Sequence, residues 1–414
     1  MKVVGLITEY NPFHNGHAYH IEEAKRVTGA DFVVVVMSGD FVQRGTPAFM
    51  DKYLRTKMAL ACGADVVFEL PVCFACASAE YFAHGAISLL HGLGIIDSVC
   101  FGSESGDIKE LTNLAHFLTV ESKEYKEILN KTLKSGKTFP EARMETLEKL
   151  TNGHTASLLS TPNNTLGIEY MKALINLNSN IIPVTITRKV AGYHSETLTE
   201  GTGPSISSAT ALRKNLTEAT SLSQLKNHVP HAVYDILVEE FHKSYPIVED
   251  DYSLLLNYRL LMLDRVALSS FLDVNSDLAN RISKYTGKND SYSTLAQQLK
   301  SRQWTLTRIN RALLHILLDL TQAEMIAYKK SGFAQYARVL GFKKESSHLL
   351  RLITKEEKIP IITKLGSSEI KLTSLGKQML QKDIFASTLY NQMIFHKYAK
   401  NLPDEYTRGV VILN

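Results

Sequence analysis

Residues 3–21 read VVGLITEYNPFHNGHAYHI. The first half of this stretch is apolar and rich in β-branched residues, as expected of a buried parallel strand. Pro12 ends the strand, because proline fixes its own φ and disfavours the helical region for the residue before it. Apolar residues then recur at helical spacing. The stretch therefore predicts a strand, a short loop and a helix, with His14, Gly16 and His17 at the entrance of the helix.

This helix entrance suits a phosphate ligand. The first turn of a helix has unpaired N–H groups and a partial positive charge, and Gly16 lets a ligand approach the backbone. Imidazoles at this place can donate hydrogen bonds to phosphate oxygens as negative charge develops. The pattern His-Asn-Gly-His at 14–17 resembles the signature with which the nucleotidyltransferase superfamily grips a nucleoside triphosphate. The alternative is a turn that contains glycine and solvated histidines.

A second motif occurs at 203–216, which read GPSISSATALRKNL. Superfamily members place a Ser-Ser-Thr-x-Ile-Arg-like motif at a later helix N-terminus that faces the same phosphates. The segment from Ser208 to Arg213 resembles it, with Ala209 in place of the second serine. A serine can cap the helix here, and Thr210 and Arg213 can present a hydroxyl and a guanidinium. The alternative, an ordinary capped helix, is disfavoured because both motifs occur in the right order.

Composition indicates a globular protein of two or three domains. The chain has 414 residues, of which 44% are apolar and 21% charged, and its net charge is +4. Such a mild positive charge means that a nucleic-acid partner requires a local basic patch. The N-terminus lacks a signal-peptide pattern, and no apolar run approaches the length that spans a bilayer. We therefore expect a cytoplasmic protein with no membrane partner.

Two patterns raise the question of a metal site. Cys73 and Cys76 have metal-like spacing, but no second Cys or His pair accompanies them, so buried thiols are the better interpretation. His14, His17 and His20 recur at intervals of three, but His14 precedes the helix. We therefore predict no protein-held metal.

Strands alternate with helices along the first half of the chain. This alternation predicts an α/β fold with a parallel sheet, in which ligands bind beyond the carboxyl ends of the strands. After the first strand, further strands are predicted at 31–37, 66–71, 98–104 and 181–188. The polar, glycine-containing segments at the strand ends are 10–17, 38–44, 69–71 and 102–104.

Several polar residues at this edge have two possible roles. Asn163 or Asn164 can cap the helix that Pro162 opens, or can bind the edge of a nucleobase. Asp40 and Glu69 can orient a substrate or can be structural. The sequence leaves both questions open.

Five segments together resemble the bacterial tRNA(Met) cytidine acetate ligase family, and the match extends over essentially the whole first half. They are residues 9–17, 38–45, 63–71, 162–170 and 207–213. The resemblance implies that ATP and acetate form N4-acetylcytidine at the wobble position of elongator methionine tRNA. It further implies an acetyl-adenylate intermediate and release of pyrophosphate.

The resemblance and the two motifs together define an expected ATP site. Its residues are Ile7, Thr8, Glu9, Tyr10, Asn11, Pro12, Phe13, His14, Asn15, Gly16, His17, Ala18, Tyr19, His20, Gly102, Asn163, Arg188 and Ser208. Adenylation requires stabilisation of the departing pyrophosphate, which we assign to His14, His17, Thr210 and Arg213, with Mg²⁺ arriving on ATP.

The second half is mainly helical, with helices expected at 232–241, 254–267 and 294–320 and a small subdomain in the last 60 residues. We predict a catalytic domain at 1–216 and a tRNA-binding region at 217–414. The expected tRNA contacts surround Trp304 and are Lys300, Arg302, Arg308 and Arg311. Without the resemblance, a solvated helix face would be the simpler interpretation of this cluster.

Two other functions fit parts of the sequence. One is a nucleotidyltransferase that acts on a small phosphorylated acceptor, which leaves the basic second half unexplained. The other is a non-catalytic tRNA-binding or ribosome-binding protein on the same scaffold. The intact motif residues argue against it.

Overall fold

A computed structural model of the chain describes residues 1–120, 122–151, 157–187, 205–218, 221–367 and 372–414. The strands are β1 Val3–Thr8, β2 Phe32–Ser38, β3 Phe41–Val42, β4 Thr46–Pro47, β5 Val66–Leu70, β6 Ser98–Ser103, β7 Ile182–Thr187, β8 Ala337–Lys343, β9 Ile361–Ile362 and β10 Val411–Leu413. The helices are α1 Asn15–Thr28, α2 Lys52–Ala61, α3 Val72–Ala75, α4 Ala79–Gly92, α5 Ile108–Val120, α6 Lys123–Lys134, α7 Phe139–Leu150, α8 Pro162–Asn176, α9 Ala209–Glu218, α10 His231–Glu240, α11 Ser253–Leu261, α12 Arg265–Leu268, α13 Ser276–Tyr285, α14 Tyr292–Leu299, α15 Leu306–Leu317, α16 Gln322–Lys330, α17 Ser347–Glu356 and α18 Ser374–Tyr398.

The main sheet has the strand order β10-β8-β5-β2-β1-β6-β7, and β9 pairs with β8. Strands β5, β2, β1, β6 and β7 are parallel, as the sequence predicts, and β8 joins β5 in the antiparallel direction. The chain runs from β1 through β2 to β5 on one side and then crosses to β6 on the other. A crevice therefore opens at the carboxyl ends of β1 and β6, which is where doubly wound sheets bind ligands.

Both faces of the sheet are covered, which explains the continuous apolar runs of its central strands. Val3 and Val34 pack into one core, whereas Val4 and Val35 pack into a second core on the opposite face. The alternation follows from the two-residue period of a strand. The predicted α/β class with a helical second half is confirmed.

Two predicted helices of the second half are each divided. The predicted helix at 254–267 is α11 followed by α12, because the carboxylate of Asp264 accepts from the N–H of Ala267 and starts a new helix. The prediction at 294–320 was wrong in the same way. Trp304 is buried between α14 and α15, and Thr305 caps α15. In both cases a side-chain cap overrides the apolar periodicity.

A buried charge cluster connects the two halves of the chain. Its members are Asp40, Lys52 and Glu69 of the first half and Arg338 and Glu405 of the second. Nζ of Lys52 lies 2.7 Å from Oε1 of Glu69 and 2.9 Å from Oε2 of Glu405. Nη1 of Arg338 lies 3.4 Å from Oε2 of Glu69.

This cluster answers the question that the sequence left open for Asp40 and Glu69. Oδ1 of Asp40 accepts from the N–H of Lys52 at 2.9 Å, and Oδ2 accepts from the hydroxyl of Ser387 at 2.9 Å. Both carboxylates therefore hold strands and helices together.

The predicted division of the chain into two domains at residue 216 stays a prediction, although β8 and β10 lie in the same sheet as β1.

None of the helices in the described ranges is both long and apolar enough to cross a bilayer.

Candidate functional site

A cavity of about 270 Å³ opens at the carboxyl ends of β1, β6 and β7. Its polar and charged lining residues are Thr8, Glu9, Tyr10, Asn11, His14, His17, Tyr19, His20, Gln43, Arg44, Thr46, Asn163, Tyr170, Thr187, Ser207, Ser208, Thr210 and Arg213. The remaining lining residues are Ile7, Gly16, Val42, Phe82, Phe101, Gly102, Leu166, Ile186, Ile206 and Ala209. The cavity thus brings both sequence motifs to the crevice of the sheet.

His14 and His17 form a stacked pair at the start of α1. Their ring centroids are 3.7 Å apart, with an angle of 23° between the planes. Nδ1 of His14 accepts from the N–H of Gly16 at 3.0 Å, and Nδ1 of His17 accepts from the N–H of His14 at 3.3 Å. Because both Nδ1 atoms act as acceptors, the proton of each neutral ring is on Nε2. Each ring can therefore donate from Nε2 to an anion.

The glycine between the histidines makes room for the first ring. A Cβ at Gly16 would lie 2.9 Å from Cε1 of His14 and 3.3 Å from Cγ2 of Ile206. Any other residue would push the imidazole of His14 away from the helix start. The glycine therefore preserves the histidine stack, in addition to any close approach of a ligand.

Asn15 anchors the helix start to a distant part of the chain. Its Nδ2 donates to the carbonyl oxygens of Ser205 and Asn227, at 3.0 and 2.8 Å. Its own N–H donates to the carbonyl of His228 at 3.1 Å. The hydroxyl of Ser207 lies 3.0 Å from Nδ1 of His228, whose pKa is lowered by burial. Asn15 therefore aligns the two motifs, a role that its position in the motif did not reveal.

The second motif meets the first through Arg213. Nη1 of Arg213 donates to the carbonyl of Asn11 at 2.7 Å, and Nη2 donates to Oγ1 of Thr210 at 3.3 Å. Oγ of Ser208 accepts from the N–H of Ala211 at 3.0 Å and so caps α9, as the sequence predicts. The guanidinium is therefore held over the loop that precedes α1.

A carboxylate fixes the start of α8, on the far side of the cavity. Oε1 of Glu104 accepts from Nδ2 of Asn163 at 2.6 Å, and Oε2 accepts from the N–H of Asn164 at 2.9 Å. Oδ1 of Asn164 in turn accepts from the N–H of Glu104 at 3.0 Å. Glu104 thus binds the N–H groups of the first turn, where a helix favours negative charge. Neither asparagine caps the helix, and Asn163 lines the cavity beside Gly102.

Some of the other expected ATP-site residues do not line the cavity. Phe13 is fully buried in the core, and Pro12, Asn15 and Ala18 are also absent from the cavity lining. Arg188 lies outside the described residues. Tyr10 is buried beside His17, and burial raises the pKa of its hydroxyl above the usual range. The assignment of roles to these residues stays a prediction.

Sequence reasoning missed the apolar end of the cavity. Phe82, Phe101, Leu166, Tyr170 and Ile186 come from two helices and two strands. Each of them fits the apolar periodicity of its own element, so nothing in the sequence separates a lining residue from a core residue. An apolar wall of this kind suits the flat face of a nucleobase.

The segment at 41–47, which begins within the predicted strand-end segment 38–44, forms a small hairpin. Strands β3 and β4 pair in it, and Val42, Gln43, Arg44 and Thr46 line the cavity. Gly45 at its turn has φ +77°, and a Cβ there would lie 2.3 Å from the backbone nitrogen of Arg311. The hairpin therefore separates the cavity from α15.

The predicted basic cluster occurs at the start of α15. Lys300 and Arg302 are exposed, and Arg308 is partly exposed. Arg311 is engaged within the protein, because its Nε lies 3.0 Å from Oδ2 of Asp273. Trp304 is buried, so it presents no face on which a base could stack.

In the part of the chain that the structure describes, no three His, Cys, Asp or Glu side chains are grouped so that they could hold a metal ion. Glu9 is the one acidic residue among the described residues that line the cavity. Mg²⁺ commonly binds through substrate phosphates, water and one or two carboxylates. Because the described lining holds no cluster of carboxylates, Mg²⁺ that arrives on a triphosphate would be held mainly by the phosphates and water.

A cavity at the switch point of the sheet is where doubly wound folds bind nucleotides, and hydrogen-bond donors already in place there can stabilise charge that develops on phosphate. The family model described as HIGH Nucleotidyl Transferase matches residues 1–405. The chain belongs to this family.

Curated relatives show to which more specific family within the HIGH nucleotidyl transferases the chain belongs. A tRNA(Met) cytidine acetate ligase of Acetivibrio thermocellus is 40% identical over 420 residues, which cover 100% of each chain. One of Thermoanaerobacter sp. (strain X514) is 41% identical over 392 residues, covering 94% of this chain and 95% of the relative. Within the HIGH nucleotidyl transferases, the chain therefore falls in the tRNA(Met) cytidine acetate ligase family.

Two solved structures share the fold over their whole length. The crystal structure of Thermotoga maritima TmcAL in its apo form I has a TM-score of 0.94 and 31% sequence identity, with 100% of both chains covered. The structure of the same protein bound with alpha-thio ATP, form II, has a TM-score of 0.90 and 30% identity, again covering 100% of both chains.

Proposed function

We propose that this protein is an ATP-dependent ligase that activates acetate as acetyl-adenylate. It transfers the acetyl group to N4 of the wobble cytidine of elongator methionine tRNA. The observation that carries the proposal is the convergence of His14, His17 and Arg213 on one cavity, in a chain that matches ligases of this name from end to end. A tRNA substrate would place the reaction in the cytoplasm.

The first step is attack of an acetate oxygen on the α-phosphorus of ATP, with pyrophosphate as the leaving group. Negative charge develops on the departing phosphates, and donors that are already in place stabilise it without reorganisation. His14 and His17 donate from Nε2, the N–H groups at the start of α1 add their partial charge, and Arg213 and Thr210 act from α9. Mg²⁺ carried in by the triphosphate would supply further neutralisation of this charge.

The second step explains why acetate is activated first. The exocyclic amine of cytosine is a weak nucleophile, and acetate alone has a poor leaving group. An acyl-adenylate supplies AMP as the leaving group, so the amine can attack the carbonyl carbon. The protein's part in this step is to hold the two reactants in contact and to exclude water from the mixed anhydride.

The tRNA would bind on the side of the cavity where α15 begins. Lys300, Arg302 and Arg308 offer positive charge to the phosphate backbone there, and such contacts weaken as salt increases. Nε of Arg311 pairs with Asp273 and supports the helix, so a contact of Arg311 with tRNA stays a prediction. We assign the phosphate contacts to the other three residues.

The test is a transfer assay with the protein, ATP, Mg²⁺, labelled acetate and bulk bacterial tRNA. The proposal predicts label in one tRNA species and release of AMP in equal amount. AMP without labelled tRNA would leave carboxylate activation in place and would reject the acceptor. Absence of both would reject the proposal and favour a nucleotidyltransferase for a small phosphorylated acceptor or a tRNA-binding protein without catalysis.

A further inference from the structure

Glu9 is the acidic residue of the described cavity lining, and its carboxylate is held in a fixed position. It follows directly after β1 and is half-buried. Oε1 accepts from the N–H of Gln43 at 2.8 Å, and the backbone carbonyl of Glu9 accepts from Nη1 of Arg55 at 2.6 Å. Arg55 is fully buried and also donates to the carbonyl of Ser38, so it fastens Glu9 to the end of β2.

A carboxylate in a triphosphate site has an electrostatic cost. Like charges repel each other, and the repulsion grows where protein excludes water. Every other charged residue in the described lining is a cation or a histidine. Glu9 falls within the segment expected to bind ATP, but this repulsion means that its carboxylate does not contact the phosphates. Its negative charge suits a group that donates a proton or carries positive charge.

The hydrogen bond to Gln43 shows on which side of the cavity this carboxylate lies. Gln43 belongs to the hairpin of β3 and β4, whose Gly45 packs against the backbone of α15 at Asn310 and Arg311. The basic cluster is at the start of that same helix. Glu9 thus lies on the side of the cavity that the hairpin borders, and this hairpin packs against the helix to whose start we assign the tRNA.

We propose that Glu9 is the general base of the acetyl-transfer step, an inference that rests on the proposed function. The lone pair of cytosine N4 forms the new C–N bond to the acetyl carbonyl carbon. The bond between that carbon and the phosphate oxygen breaks, and AMP leaves with the electron pair. The carboxylate of Glu9 takes one proton from N4 and later releases it to water, so the product is the neutral amide.

Without a base, N4 of cytosine would keep both of its protons when it attacks. The product of this step would then carry a positive charge. General bases of this kind typically contribute about 100-fold to 10,000-fold in rate. The geometry leaves Oε2 for this task, since Oε1 is engaged by the N–H of Gln43. Acetate activation needs no proton to be removed, so a general base has no role in the first step.

The experiment separates the two steps by exchanging the nucleophile. Hydroxylamine reacts with acyl-adenylates without a protein base and gives acetohydroxamate, which reports the first step alone. Glu9→Gln keeps an oxygen for the N–H of Gln43 but removes the base. We expect acetohydroxamate formation within about 3-fold of wild type and acetylation of tRNA reduced by about 100-fold or more. Glu9→Asp should recover part of the transfer rate.

Two controls accompany this comparison. Glu22→Gln removes the same charge from the exposed face of α1 and should leave both reactions unchanged. A gel-shift titration of the Glu9→Gln variant with tRNA should show undiminished binding, so that a loss of rate reports the transfer step.

The other possible results of the hydroxylamine and tRNA assays lead to different conclusions. Equal loss of acetohydroxamate and of acetylated tRNA in Glu9→Gln would overturn the inference and make Glu9 a ligand of Mg²⁺ or ATP. Full acetylation by Glu9→Gln would also overturn it. A wild-type protein that forms neither product would instead reject the proposed function, and the inference with it.

Discussion

Arg213 donates from Nη1 to the carbonyl oxygen of Asn11 over 2.7 Å, although 202 positions separate the two residues in the chain. This contact fixes the orientation of the later motif relative to the first. It also turns a guanidinium, always charged and planar, toward the place where we expect phosphate.

Arg213→Ala should lower acetate-dependent turnover of ATP by about 100-fold, because it removes both a phosphate donor and the link to Asn11. Arg26→Ala is the matched control, since Arg26 is an exposed arginine on α1 that pairs with Glu23. Initial rates of AMP release check the prediction. Equal rates of AMP release for the two variants would mean that the phosphates bind away from Arg213.

His17→Ala should reduce formation of acetohydroxamate by about 100-fold while leaving the protein folded. The ring of His17 is partly exposed to the cavity, and its loss removes one Nε2 donor together with the acceptor for the N–H of His14. His116→Ala, on an exposed position of α5, should have no effect. The assay is the hydroxylamine trap with circular dichroism as the fold check, and full activity of His17→Ala would remove the histidine from the mechanism.

Lys52→Met should destabilise the protein by about 3–5 kcal/mol, because it leaves the carboxylates of Glu69 and Glu405 buried without their ammonium partner. Lys57→Met, at an exposed position of the same helix, should change stability by about 0.5 kcal/mol or less. Urea unfolding of both variants provides the comparison. Similar midpoints would mean that the buried charge cluster contributes little.

Acid should destabilise the protein through Glu405. Burial disfavours its charge, but Lys52 and Arg338 outweigh this effect and lower its pKa to about 2, against 4.5 for a free glutamate. As the pH falls below 4.5, the unfolded chain therefore binds a proton that the folded chain does not bind. The stabilisation is complete above pH 4.5, is lost between about pH 4.5 and 2, and amounts to about 3 kcal/mol.

Glu405→Gln tests this pH dependence. The variant should be less stable than wild type at pH 6, yet its free energy of unfolding should fall less steeply between pH 4.5 and 3. Unfolding by urea at several pH values measures both slopes. Parallel slopes would assign the acid sensitivity to other carboxylates.

Gly45→Ala should destabilise the protein and lower acetylation of tRNA. Its φ of +77° disfavours a side chain, and the added Cβ would also collide with the backbone of α15 at Arg311. Gly136→Ala is the control, because Gly136 has φ +87° with no atom within 4 Å of a Cβ. We expect Gly45→Ala to cost about 2 kcal/mol more than Gly136→Ala in thermal or urea unfolding. Equal losses of unfolding free energy in the two variants would mean that the hairpin can shift at its contact with α15 and accommodate the added Cβ.

The local sequence determined the elements of the catalytic half. The β-branched run at Val3–Thr8, the turn at Pro12 and the histidines at the start of α1 are all readable from a few neighbouring residues. The order of strands and helices then indicated a parallel sheet with its ligand edge. Propensity, periodicity and helix capping are short-range effects, so they appear directly in the sequence.

Other features depended on residues that are distant in the chain. Nothing near Asp40 or Glu69 announces that Lys52, Arg338 and Glu405 will surround them, and nothing near Glu9 announces its contact with Gln43. In the sequence, Phe82 and the other apolar lining residues cannot be distinguished from core residues. Only the packing of the helices shows that they line the cavity. Side-chain partnership and burial are set by the packing of whole elements, which brings together residues that the sequence separates by tens or hundreds of positions. The sequence by itself therefore determined the kind of site and the motif residues that we propose for phosphate binding, whereas the tertiary structure decided which charges hold the fold and which carboxylate lines the cavity.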